Sequence, residues 1–232
     1  MEVGLFFAFR NPIPWRRPAA DVFADALEQV RLADELEFDG VWLGEHHFTD
    51  DGFDPSPMAL AAAIAAVTHR VQIGTYVLLL PQHQPVRLAE DAAVVDILSN
   101  GRLILGMGLG YRPPEFDAMG LGYRPSELEA VGLAHGARGD LMDEGLEVLV
   151  KSFTEDSFSY EGRYFHAHDV TLSPKPVQRP MPRIILGGSG ERMLRRAARF
   201  GCSGLAVAPP PAILARHAAL VAERGGDPAA QR

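Results

Sequence analysis

Cysteine, basic residues and long apolar runs are all scarce in this sequence, and each shortage excludes a class of protein. The one cysteine, Cys202, has no partner for an intramolecular disulfide, and such a composition is typical of a reducing cytoplasm. Lysine and arginine total 22 against 30 acidic residues, which gives a formal charge of -8. This balance argues against binding to nucleic acid or to an anionic membrane, because both attract concentrated positive charge.

The apolar runs are also too short for a membrane protein. The longest, from Met58 to Val67, is well below the roughly 20 residues that span a bilayer. The apolar stretch from Val3 to Phe9 is too short for a secretory signal with its charged region, apolar region and cleavage site. With 47% apolar and 22% charged residues among 232, we expect a soluble cytoplasmic protein with a sizeable core.

Apolar, β-branched segments alternate with helical patterns along most of the chain. The first four predicted strands begin roughly 30 to 37 residues apart, which is the length of one βα unit. This alternation predicts an α/β fold with a parallel sheet. Strands are predicted at 3–9, 40–43, 71–80, 103–106, 183–186 and 204–207, and helices at 21–36, 56–68, 86–98, 192–200 and 212–223.

The alternation is interrupted between residues 111 and 182. A helix is predicted at 141–153, a β-hairpin with strands at 158–161 and 164–166, and then a proline-rich connector. We interpret residues 111–182 as an insertion over the mouth of a single barrel domain that covers residues 1–232. Because a closed (β/α)8 barrel needs eight strands and six are predicted, we expect the last two βα units to be missing.

Ionisable side chains follow the strand predicted at 40–43. Glu45, His46 and His47 come directly after it, and in a parallel barrel the carboxyl ends of the strands line the active site. Alternatively, these are two surface histidines and a solvated carboxylate. A zinc site is not predicted, because consecutive residues of an extended chain point in different directions and zinc needs about three converging ligands.

Glycines follow two other predicted strands. The run from Gly187 to Gly190, which includes Ser189, precedes a helix with Arg192 in its first turn, a pattern that favours a phosphate site. The alternative is a tight turn that needs glycine for its backbone freedom. Glycines alternate from Gly106 to Gly110 and leave room for a flat ligand, although a strand bulge explains them equally well and they do not match the dinucleotide fingerprint.

Five segments together resemble the bacterial luciferase-like flavin monooxygenases, in the order of that family and over nearly the whole chain. They are residues 38–48, 74–81, 85–91, 99–102 and 187–190. The resemblance implies a TIM barrel that binds reduced FMN at the carboxyl ends of its strands. It also implies that His46 assists the flavin and oxygen chemistry, with His47 beside it as a second catalytic candidate and Glu45 as a residue of the cofactor site.

The resemblance further implies where the cofactor lies. Tyr76 and Val77 match a pair joined by a cis peptide bond, against which the isoalloxazine ring packs. Thr75, which precedes them, is also expected to contact the cofactor. Gly108 matches the position at the reactive edge of the flavin. The FMN phosphate is expected among Gly188, Ser189, Gly190 and Arg192.

The implied reaction is the oxygenation of a small apolar aldehyde or ketone by reduced FMN and O2, with the reduced FMN supplied by a separate flavin reductase. A second interpretation is a hydride-transfer enzyme that uses the deazaflavin F420, because relatives on this fold use that cofactor. A third is a flavin-binding or partner-binding protein without turnover. A homodimer is expected from the resemblance and from the exposed sheet edges of an incomplete barrel.

Overall fold

Short parallel strands build the centre of the fold. The computed structural model describes residues 2–110, 127–188, 190–202 and 211–223. Within these residues, the main sheet has the order β1 (Gly4–Phe7), β2 (Gly40–Leu43), β3 (Gln72–Thr75), β4 (Leu103–Met107) and β7 (Arg183–Leu186). Every residue of β4 is buried, as expected for a parallel strand covered on both faces. The strand predicted at 204–207 lies outside the described residues.

The strand register brings the carboxyl ends to one edge of the sheet. Phe7 aligns with Leu43, Leu43 with Thr75, and Met107 with Leu186. The strand predicted at 71–80 was too long, because β3 ends at Thr75. Beyond it the chain passes through Tyr76 and Val77, touches β4 through one bridge between Leu78 and Met107, and forms a 3-10 turn at Leu80–Gln82.

Helices cover the outer face of this sheet in chain order, each packed against the next. Buried aliphatic residues such as Ile64, Leu88, Leu105 and Leu146 join the helices to the strands. A further short helix is α4 (Glu127–Ala130). The packed helices are α1 (Ala19–Glu35), α2 (Pro57–Val67), α3 (Pro85–Leu98), α5 (Arg138–Thr154), α6 (Glu191–Phe200) and α7 (Pro211–Glu223).

The range 111–182 contains part of the helix layer and a separate hairpin. Helix α5 packs between α3 and α6. The hairpin consists of β5 (Phe158–Glu161) and β6 (His166–Val170), so its second strand begins later than predicted. The Glu144 carboxylate of α5 explains the difference, because it accepts the N–H groups of residues 163–165 and holds them in the turn. The placement of the remaining residues over the barrel mouth stays a prediction.

Two buried charged side chains fix the opposite edge of the sheet. Asp34 accepts the N–H groups of residues 69–71 at 2.8 Å each. Arg102 donates to the carbonyls of Ser99, Val71 and Thr68 and to the Thr68 hydroxyl. These contacts place the start of β3 between α2 and β4. Among the described residues, no helix is both long enough and apolar enough to cross a membrane.

Candidate active site

A buried carboxylate joins the segments that follow β2 and β3. Glu45 Oε1 accepts hydrogen bonds from His47 Nε2 at 2.9 Å and His83 Nε2 at 2.8 Å. Glu45 Oε2 accepts the N–H of Leu79 at 2.5 Å. The Glu45 side chain is only 1% exposed, so both of its oxygens are used within the protein. The carboxylate of Glu45 thus holds both His47 and His83 in place, and its predicted contact with the cofactor stays a prediction.

The surroundings of Glu45 keep it ionised. Burial by itself raises the pKa of this carboxyl, but the hydrogen bonds from His47, His83 and Leu79 lower it to about 2. Glu45 is therefore an anion throughout the physiological pH range. It can stabilise and orient an imidazolium but cannot supply a proton.

The two consecutive histidines point to different neighbours. His47 contacts Glu45, whereas the His46 ring lies edge-on to Phe53, with 4.5 Å between centroids and an interplanar angle of 87°. The backbone N–H of His46 donates to the backbone carbonyl of Asp54 at 3.1 Å. Within the described part of the chain, no cluster of three or more His, Cys, Asp or Glu side chains has a geometry suited to a metal ion.

Aromatic side chains line the inner face of the sheet beside His46. Phe6 lies 6.4 Å from Phe53 and 6.3 Å from Tyr76, and Trp42 lies 6.2 Å from Tyr76, between ring centroids. We call Phe6, Trp42, Phe53 and Tyr76 the aromatic cluster. Glycines on the neighbouring strands make room for the indole, since a Cβ on Gly74 would lie 2.3 Å from Trp42. The cluster gives this end of the sheet an apolar, flat lining.

The peptide between Tyr76 and Val77 is cis, as the resemblance implied. The Val77 side chain lies over β4 and β7, because a Cβ on Gly108 would come within 2.5 Å of Val77 and one on Gly187 within 3.2 Å. These glycines leave room for the Val77 side chain, which covers them. We call the surface formed by Val77 over Gly108 and Gly187 the apolar floor. Thr75, also predicted to contact the cofactor, is buried, and its hydroxyl donates to the Gly106 carbonyl at 2.7 Å.

The end of β7 provides the second half of the site. Gly188 has a φ of +114°, a backbone conformation that favours glycine. Gly190 precedes the first turn of α6, with open space where a Cβ would project. Arg192 is exposed in that turn and, within the described residues, forms no ion pair. Ser189 lies outside the described residues. Free N–H groups at a helix start, together with an arginine, suit a phosphate.

Two titratable residues of the site were not predicted. His83 follows the 3-10 turn after β3, and its position just beyond a strand end was the available signal. Asp54 lies in the segment between β2 and α2, and its side chain is completely buried. Nothing in the sequence distinguishes Asp54 from Asp50 and Asp51 before it.

The sequence profile of the luciferase-like monooxygenase family matches residues 1–232. The chain belongs to this family. The predicted family is therefore confirmed, and the match covers the sheet, the helix layer and the rim described above.

The relatives of this chain include oxidoreductases of two cofactor types. The oxygenase component of a flavin-dependent trigonelline monooxygenase of Acinetobacter baylyi is 26% identical over 182 residues, 78% of this chain and 48% of that protein. An F420-dependent glucose-6-phosphate dehydrogenase of Amycolatopsis mediterranei is 30% identical over 181 residues, 76% and 51% respectively. The chain spans about half the length of the curated relatives it matches.

A solved monooxygenase structure has a similar fold. Monooxygenase RslO1 from Streptomyces bottropensis superposes with a TM-score of 0.82 and 29% identity, over 98% of this chain and 68% of RslO1. The predicted α/β fold of the luciferase-like family is thereby confirmed. Both curated relatives are oxidoreductases, which supports an enzyme of this class. One uses flavin and the other F420, so the relatives do not decide between the two cofactors.

Proposed function

We propose that this chain forms the site of a flavin-dependent monooxygenase that uses reduced FMN and O2 to oxygenate a small apolar organic substrate, such as an aldehyde or ketone. One observation carries the proposal. The apolar floor made by Val77 over Gly108 and Gly187 lies at the same sheet edge as the aromatic cluster and His46. A flat ring and an apolar substrate both suit such a surface.

The two ends of the site match the two ends of FMN. Tyr76, Val77 and Gly108 would support the ring, because this part of the edge is apolar. Gly188, Gly190 and Arg192, with Ser189 between them in sequence, would hold the phosphate at the start of α6. A flavin nucleotide needs an apolar region for its ring and a separate cationic region for its phosphate, and Arg192 has no ion-pair partner among the described residues.

The residues of the chain have distinct roles in this proposal. Reduced flavin supplies the reducing equivalents that activate O2. The aromatic cluster offers an apolar surface to the ring and the substrate, and His46 exchanges a proton at its imidazole nitrogen with the bound groups. Glu45 fixes His47 beside it and disperses the positive charge of a protonated imidazole.

The proposal includes a partner and an assembly. The similarity to a monooxygenase described as an oxygenase component supports a separate flavin reductase that delivers reduced FMN. A homodimer and a cytoplasmic location remain part of the proposal. A second candidate is F420-dependent hydride transfer, which the similarity to an F420-dependent dehydrogenase favours.

Anaerobic titration tests the proposal and separates the cofactors. Purified protein is titrated with reduced FMN and, separately, with reduced F420, and binding is followed by fluorescence. ¹⁸O₂ is then admitted with a panel of aldehydes and ketones, and the products are analysed by mass spectrometry. Binding of reduced FMN with label in a product supports the monooxygenase. Binding of reduced F420 alone supports hydride transfer, and binding of neither refutes both.

A matched pair of variants ties the result to the site. Val77→Asp places a charge on the apolar floor and should abolish binding of the ring. Val177→Asp makes the same change at a valine that is 49% exposed on the connector before β7, and it should leave binding unchanged. Equal loss in both variants would assign the effect to general destabilisation.

A further inference from the structure

Asp54 has an unpaired oxygen inside the candidate active site. Its side chain is 0% exposed. Asp54 Oδ1 accepts the N–H of Ser56 at 3.2 Å, whereas Oδ2 has no hydrogen-bond partner among the described residues. A buried carboxylate oxygen without a donor is costly, and a proton on the group removes most of that cost.

The backbone of Asp54 links this side chain to the rim. Its N–H donates to the carbonyl of Ala8 at 3.2 Å, and its carbonyl accepts the N–H of His46 at 3.1 Å. The segment that carries both histidines is therefore closed against the end of β1 at Asp54. A change in the charge of Asp54 acts on this closed segment directly.

The charged groups around Asp54 are identified by their effects on its ionisation. Burial raises the pKa of Asp54 to about 7, Ser56 N–H lowers it, the Glu45 charge raises it and the His47 charge lowers it. On the β1 side the contact is the Ala8 backbone, and the nearby charge of Asp51 is matched by Arg10 at 2.5 Å. Glu45 and Asp54 are thus two neighbouring buried carboxyl groups, and Glu45 is already held as an anion.

We propose that Asp54 is a positioning residue that carries a proton at neutral pH. Through His47, it sets the charge of the histidine pair at the rim, His46 and His47. With Asp54 protonated, His47 faces one carboxylate, that of Glu45. When Asp54 releases its proton to solvent, His47 faces two, and the imidazole takes up a proton from solvent more readily. This inference rests on the proposed function only in assigning the histidine pair to catalysis.

The first test uses the cofactor-free protein and does not depend on turnover. Infrared spectra of protein with ¹³C-labelled aspartate, recorded at pH 6 and pH 9, report whether a buried carboxyl is protonated. We expect an acid carbonyl band at pH 6 that is lost at pH 9, and its absence in Asp54→Asn. Absence of the band in the wild-type protein at pH 6 overturns the proposal, whether or not the variant folds.

The second test measures the coupling to His47. Histidine-selective NMR gives the midpoint of the His47 titration in the wild type, in Asp54→Asn and in Asp51→Asn. We expect Asp54→Asn to shift the midpoint to lower pH by about 1 unit. Asp51→Asn makes the same carboxyl-to-amide change in the same segment and should not shift it, because the charge of Asp51 is already matched by Arg10. Equal midpoints in the wild type and Asp54→Asn overturn the proposal.

These outcomes are separable from those of the proposed function. An acid band and a shifted His47 midpoint, in a protein that binds neither reduced FMN nor reduced F420, would retain the Asp54 assignment and refute the monooxygenase. Flavin binding with an ionised Asp54 at pH 6 would do the reverse. In an active enzyme, the pH profile of turnover should lose its inflection near pH 7 in Asp54→Asn, while KM for the substrate changes little.

Discussion

Replacing Glu45 by glutamine tests the central contact of the site through the stability of the protein. The substitution keeps the size of the side chain but removes its charge. The amide has one oxygen to accept hydrogen bonds, so it cannot serve His47, His83 and the N–H of Leu79 together. At least one buried donor is left without a partner, and the favourable charge interaction with the two imidazoles is lost.

The magnitude follows from the pKa. The structure lowers the pKa of Glu45 from 4.5 to about 2, and each unit corresponds to about 1.4 kcal/mol of free energy. Because the folded-state pKa is depressed, this stabilisation is present above pH 4.5 and is lost as the pH falls towards 2. We therefore expect Glu45→Gln to lower the free energy of unfolding by about 3 kcal/mol at pH 7.

Urea unfolding followed by circular dichroism, at pH 7 and at steps down to pH 3, measures this difference. The wild type should lose stability over the acid range and approach the variant, whose own curve lacks this component. Glu28→Gln is the matched control, because Glu28 pairs with Arg31 on the surface of α1 and its side chain is 70% exposed, so it should cost under about 1 kcal/mol. A Glu45→Gln difference that stays constant from pH 7 to pH 3 would refute the reasoning.

Three further substitutions test other parts of the structure. Arg192→Gln should weaken FMN binding about tenfold through loss of a charged hydrogen bond to the phosphate. Riboflavin, which has no phosphate, should bind unchanged in the same fluorescence titration. Arg195 pairs with Glu191, so Arg195→Gln should change the binding of neither ligand. Gly108→Val should displace Val77, lowering stability by about 1–3 kcal/mol and abolishing ring binding; normal flavin affinity in that variant would contradict the assignment of the floor. Arg102→Met leaves buried carbonyls without donors and should lower the free energy of unfolding by about 3 kcal/mol, measured by urea unfolding; flavin affinity in the variant's folded state should be unaffected.

Strand positions were predictable because the parallel sheet is apolar on both faces. The segment 40–43 was identified with the bounds of β2 itself, since all of its residues but Trp42 are buried and the ionisable run begins just after it. The end of β3 was not predictable, because residues 76–80 are as apolar as the strand before them. Their departure from the sheet depends on Val77 packing over β4 and β7, which is a tertiary contact.

The site divides in the same way. Glu45, His46 and His47 were found from sequence because they follow a strand, and position along the chain then implies position at the rim. Their partners were not, because His83 reaches Glu45 across 38 positions and no spacing rule connects them. Thr75 lies in a matching segment, but its hydroxyl is directed into the sheet, where it donates to the Gly106 carbonyl, and its contact with the cofactor stays a prediction.

Glu45 and Asp54 show how nearby carboxyl groups of one rim segment acquire opposite protonation states. Both are buried, so desolvation raises the pKa of each. Glu45 has three donors aimed at its oxygens, whereas Asp54 has one donor and the adjacent charge of Glu45. The number of donors therefore decides which group ionises. The ionised Glu45 and the protonated Asp54 beside it can together set the charge of the histidine pair without metal ligands or a second chain. This arrangement requires only that the segment from Glu45 to Asp54 stay closed against β1.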